Sequence, residues 1–166
     1  MRLDRSGLVR NIPYKGAVVA TPPKPKEIRH IYDLRVDLEV KLALEAMENM
    51  TPKVLSELRA IHDRMARVQG DFYSLDRKFH AALYEASDLP HLCGIAEKLI
   101  LPVEVFLNAY HQDEEDCRRF HAEHGEILQA LVEKDAETLR TVLTANIKAG
   151  FQVIDKTYNR MVRTSE

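Results

Sequence analysis

An all-α fold, an antiparallel bundle of about six helices, is what this chain predicts, and three observations lead there. Apolar residues recur at three-four spacing from about residue 27 to beyond residue 150. Glycine (6) and proline (7) are scarce for 166 residues, so most of the chain is expected to be regular structure. The prolines and capping residues that do occur fall mostly between the periodic stretches, where helices start and stop. A short β-hairpin ahead of the bundle is the one expected departure.

That hairpin is read from a punctuated first segment. Leu8-Val9-Arg10 extends, Ile12-Pro13-Tyr14-Lys15-Gly16 turns, and Ala17-Val18-Val19-Ala20 extends again. Thr21-Pro22-Pro23-Lys24-Pro25 then forms a stiff linker, because successive prolines favour an extended conformation. Residues 1–25 are therefore expected to stand apart from a helical domain at 26–166.

The first helix, about Glu27 to Met50, aligns Ile31, Leu34, Leu38 and Leu42 as a core-facing stripe. Thr51 before Pro52 starts the second, since a hydroxyl caps the free N–H groups and proline loses nothing at the first helical position. Leu55, Leu58, Ile61, Met65 and Val68 run along it to a stop at Gly70. A third, about Phe72 to Ala86, presents Phe72, Leu75, Phe79 and Leu83. Ser87-Asp88-Leu89-Pro90 opens a fourth, reaching about His111, which Pro102 is expected to kink or divide. Asp113 and the acidic turn Glu114-Glu115-Asp116 open the fifth, to about Lys134, in the favourable field of the helix dipole. Asp135 caps the sixth, which carries Leu139, Val142, Leu143, Ile147, Phe151 and Ile154 to about Met161.

Charge is divided unevenly. The first thirty residues hold seven Lys or Arg against two Asp or Glu, while the rest hold 17 against 24. A basic arm suits phosphate, and an acidic remainder repels it. The chain lacks an apolar run long enough to span a bilayer, and Met1 to Arg10 lacks the apolar core of a secretory signal, which predicts a cytoplasmic protein with no membrane partner. Cys93 and Cys117 fall within helices without CxxC spacing and read as reduced packing residues.

Asp76 and His80 lie one turn apart beside Leu75, Phe79 and Leu83, so both leave one flank of the apolar stripe. His124, among Phe120, Ile127, Leu128 and Leu131, looks inward as well. A carboxylate with two imidazoles is ligand chemistry for a divalent metal of the zinc or nickel type, and bundle interiors build such sites from facing helices. The same three residues also allow a polar contact without an ion. Asn146 lies on the inner stripe of the sixth helix, as a weak fourth ligand or a hydrogen-bonding partner of a bound molecule. Arg35 is placed either to clamp a ligand carboxylate or to pair with Glu39 on the surface. His62 beside Asp63 reads as a solvated helix edge, His121 as a possible substitute for His124, and His91 and His111 as surface residues.

The order of these features resembles the GntR-type transcription regulators of the FadR-like branch. It runs from Glu27-Ile28-Arg29-His30-Ile31-Tyr32-Asp33-Leu34-Arg35-Val36-Asp37-Leu38-Glu39, through Asp76-x3-His80, to His124-x2-Ile127-Leu128-x-Ala130-Leu131-x3-Asp135. The resemblance implies an all-helical ligand-binding domain of the FCD kind, a homodimer, and a small organic-acid effector held above a divalent metal. It also implies that the Asp76, His80 and His124 positions ligate the metal and that Arg35 faces the effector. A further histidine of the pattern would fall at Asn146, a departure that weakens the metal site or leaves the amide to touch the ligand directly.

At the front, Arg2 to Arg10 looks like the end of a recognition helix with the first wing strand, and Tyr14-Lys15-Gly16 looks like a wing tip. The rest of a winged helix-turn-helix is missing from the match, so Arg10, Lys15 and Gly16 are expected to contact DNA weakly and without reading sequence. An enzyme is not expected. The competing functions are a small helical hydrolase using the same metal, with Glu104 the nearest candidate base, and a chain that only dimerises.

Overall fold

The computed structural model describes residues 9–12, 16–19, 23–67, 72–109 and 114–163, with side chains described outside 9–19, 104–109 and 157–163. Two short strands, β1 (Val9–Ile12) and β2 (Gly16–Val19), precede six helices: α1 (Pro25–Glu48), α2 (Pro52–Met65), α3 (Phe72–Glu85), α4 (Pro90–Ala109), α5 (Glu114–Glu133) and α6 (Ala136–Arg163). The strands pair antiparallel, Val9 opposite Val19 and Ile12 opposite Gly16. Lys15 lies outside the described residues, as do Val68, Gly70, His111 and Asp113.

Helix starts follow the local chemistry. The Thr51 hydroxyl accepts from the Val54 N–H at 3.3 Å with Pro52 in the first turn, and Asp135 Oδ1 accepts from the Glu137 and Thr138 N–H groups at 3.1 and 3.0 Å. Among the described residues the expected bundle of six helices is present. Pro102 sits inside α4 without ending it.

α1 is the central helix, packed on α6, α4 and α3, while α5 bridges α6 and α2. Phe72, Phe79, Leu42, Leu58, Leu83, Ile127, Leu131 and Leu143 are fully buried between them. Among the described residues no helix is long and apolar enough to cross a membrane. Cys93 and Cys117 are both half-buried and form no disulfide.

The face of α1 differs from the sequence expectation in a way that matters for the site. Leu34 is 55% exposed and Ile31 and Leu38 are only half-buried, while the buried stripe is Ile28, Tyr32, Arg35, Glu39, Leu42 and Ala46. Its spacing alternates four and three, as a core-facing helix requires. Counting apolar residues alone skips its two charged members and rotates the apparent face. Arg35 and Glu39 satisfy each other, which is why a charged turn is tolerated in the interior.

Candidate functional site

Asp76, His80 and His124 converge. One ligand atom from each lies within 4.8 Å of the other two, with His80 and His124 buried and Asp76 half-buried. α3 brings the first two together by its own turn, and the packing of the bundle delivers the third from α5. Asp76 Oδ1 stands 3.3 Å from His124 Nε2 and 3.9 Å from His80 Nε2. The imidazoles meet edge-on with centroids 5.1 Å apart, and Phe79 stands edge-on to His124 at 4.7 Å.

The hydrogen bonds behind these rings fix where their protons sit. Tyr84 donates its hydroxyl proton to Glu39 Oε2 at 2.6 Å, so its oxygen accepts from His80 Nδ1 at 3.0 Å. His124 Nδ1 faces the Phe120 carbonyl at 2.6 Å and donates to it. In its neutral form each ring therefore carries its proton on Nδ1 and turns Nε2 towards Asp76. His124 Nε2 is fully buried and lacks an aligned hydrogen-bond partner. Two imidazole nitrogens and a carboxylate facing one point suit a cation between them: a proton on His124 Nε2 serves that ring and Asp76, whereas a divalent ion could serve all three ligands.

The electrostatics follow. Burial pushes the Asp76 carboxyl upward, but the imidazoles of His124 and His80 outweigh it and hold the group below its ordinary value. For His80, burial dominates and lowers the pKa despite Asp76. His124 goes the other way, because contact with Asp76 overcomes burial and raises it.

Asp76 and His80 open onto a cavity of about 470 Å³ that also takes in Arg35, Glu39 and Tyr84, with Leu89, Pro90, Ala96 and Ile100 along the α4 side. Arg35 is not a surface residue. Its Nε donates to Glu39 Oε1 at 2.6 Å and its Nη2 to Oε2 at 3.3 Å, and its guanidinium lies 4.7 Å from the Tyr32 ring centroid. Burial works against the Arg35 charge, but Glu39 more than restores it. The Tyr84 hydroxyl is pushed well above its ordinary value by burial and by Glu39. A continuous polar line thus runs from His124 through Asp76, His80, Tyr84 and Glu39 to Arg35, joining α5, α3 and α1.

Glu39 and Tyr84 are the members that sequence reasoning missed as site residues. Tyr84 lies one turn after His80 and Glu39 one turn after Arg35, so the i, i+4 spacing that flagged Asp76 and His80 carries both. Replacing Tyr84 with Phe leaves a buried Glu39 oxygen and His80 Nδ1 without their shared partner. A loss of about 1–3 kcal/mol in a denaturant melt is the expected cost.

Other expected residues lie elsewhere. Asn146 is buried on α6, donates from Nδ2 to Glu123 Oε2 at 2.8 Å, and is not among the cavity-lining residues. His62 is half-buried rather than solvated: it stacks on His121 with centroids 4.0 Å apart and bonds the His121 carbonyl at 3.0 Å. That stacking turns His121 towards α2, so it does not stand in for His124. His91 is exposed, and the Glu104 side chain lies outside those described. Arg10 pairs with Val18 in the ladder and Gly16 with Ile12.

The FCD domain family matches residues 30–149, a span that holds Arg35, Asp76, His80, His124 and Asn146. The chain belongs to the FCD family. The GntR/FadR-type resemblance read from the sequence is thereby met. The HTH-type transcriptional regulator McbR of Escherichia coli (strain K12) is 27% identical over 142 residues, covering 81% of this FCD chain and 64% of McbR. The chain thus spans less than two thirds of that curated relative's length. The solved structure of E. coli McbR/YncC superposes with a TM-score of 0.81 at 26% identity, covering 95% of this chain and 77% of that one. A GntR family transcriptional regulator from Pseudomonas syringae pv. tomato str. DC3000 gives 0.71 at 21% identity, covering 99% and 70%, and supports the fold. These relatives are transcription regulators rather than enzymes.

Proposed function

We propose that this FCD chain is the effector-sensing and dimerising part of a cytoplasmic, non-enzymatic transcription regulator. A small organic acid enters the cavity on α3 and α4, and Asp76, His80 and His124 hold a divalent ion of zinc or nickel type that receives its carboxylate. The observation that carries this reading is the convergence of His124 Nε2, buried and without an aligned hydrogen bond, and His80 Nε2 on the one Asp76 carboxylate. The ion, when bound, supplies positive charge where the cavity floor otherwise presents Asp76.

The protein's own residues orient and transmit. Tyr84 and the Phe120 carbonyl hold the two rings in the ligating tautomer. Arg35 sits at the other end of the polar line on α1, the helix that follows directly from the strand pair and its linker. Asn146 remains a candidate for contact with the ligand, tied by Glu123. Arg10, Lys15 and Gly16 contact phosphates weakly, and effector binding changes how two such segments sit in a homodimer. For that change to matter, the acid must bind the two arrangements with different strength.

The test is a thermal melt of the full chain, metal-free and zinc-loaded, with and without small carboxylates. Zinc alone raises the midpoint, and an acid raises it further only in the zinc-loaded protein. Saturation at a hundredfold excess over the dissociation constant is worth about 2.7 kcal/mol. An acid that stabilises both forms equally removes the ion from the mechanism.

A further inference from the structure

We propose that Glu39 sets the class of acid this cavity accepts: by occupying Arg35 it restricts the ligand to a single carboxylate on an otherwise uncharged body. The inference rests on the sensor reading above and goes beyond it by naming what the far end of the ligand must be.

Arg35 and Glu39 both line the cavity, yet they are only 7% and 2% exposed. A guanidinium in a cavity wall ordinarily recruits a ligand carboxylate through two parallel hydrogen bonds. Here that forked face is already filled from within, by Oε1 at 2.6 Å and Oε2 at 3.3 Å of Glu39. Tyr84 adds a third donor to the same carboxylate at 2.6 Å. A second ligand carboxylate could reach only the remaining Nη N–H groups of a guanidinium whose charge Glu39 already neutralises, and it would stand beside the Glu39 carboxylate, which repels it; displacing Glu39 instead would leave that group buried without its counter-charge.

The remaining surroundings point the same way. Glu85, Asp88 and Glu97 line the rim, where Arg77 is the other lining cation, so the approach disfavours a doubly negative guest. Leu89, Pro90, Ala96 and Ile100 offer an apolar wall for an uncharged body. A hydroxyl or carbonyl on that body still suits Arg35, because the pairing with Glu39 uses two of its five N–H donors. The fitting ligand is a monocarboxylate whose head meets the Asp76, His80 and His124 centre and whose tail is apolar or hydroxylated.

Butyrate and succinate, matched in carbon number, test this by calorimetry on the zinc-loaded full chain. Butyrate is expected to bind at least about tenfold more tightly than succinate, and Glu39→Gln to narrow that ratio by about tenfold. The comparison on the unmodified protein stands without any variant: succinate binding as tightly as butyrate overturns the proposal. So does an unchanged ratio in a Glu39→Gln protein whose circular dichroism shows it folded. If neither acid binds the zinc-loaded protein, the failure lies with the sensor reading, and the proposal falls with it.

Discussion

Arg35→Met is expected to lower the stability of the protein by about 3–5 kcal/mol in a denaturant titration, because it strands the Glu39 carboxylate in the interior. Both side chains are nearly inaccessible, 9% and 3% exposed, so solvent does little to screen the loss. The reason lies in the asymmetry of buried pairs: making one gains little, but breaking one leaves an uncompensated charge. The paired replacement Arg35→Met with Glu39→Leu should recover most of the stability, apart from the Tyr84 hydroxyl, which then loses its acceptor. Equal losses in the single and double variants would mean that packing against Tyr32, and not charge, is what Arg35 supplies.

The second large effect is on metal affinity. His124→Ala removes one of three converging ligands and is expected to weaken zinc binding by more than about 100-fold, beyond the 10–100-fold that loss of an outer partner costs. Competition against a chromophoric chelator measures it. The pH dependence has a definite sign. His124 has its pKa raised by Asp76 in the metal-free protein, so zinc must displace a proton from it over a range extending above the ordinary histidine value. Apparent zinc affinity therefore falls as the pH is lowered through that raised value, and binding releases protons. His80, whose pKa is lowered, contributes to this competition only at lower pH.

Much of the fold was legible because its punctuation is local. Thr51 with Pro52, Leu89 with Pro90, and Asp135 mark helix starts through chemistry confined to a few residues, and the structure starts α2, α4 and α6 there. Asp76 and His80 were legible for the same reason, since one helical turn fixes their relation. His124 was inferable as inward-facing from its apolar neighbours, but its meeting with Asp76 depends on how α5 packs. The errors came where tertiary contacts decide. Arg35 and Glu39 belong to the buried stripe of α1 because they neutralise each other there, a fact that hydrophobic counting cannot register. His62 looked solvated because its partner, His121, comes from a helix 59 residues along the chain.

The central claim is that one divalent ion joins Asp76, His80 and His124. Crystals of the full chain grown with zinc, measured at the zinc absorption edge, address it directly. An anomalous peak bonded to Asp76 Oδ1, His80 Nε2 and His124 Nε2 is the predicted result. A zinc-saturated crystal with its peaks elsewhere, and with His124 Nε2 still against the Asp76 carboxylate, would contradict it.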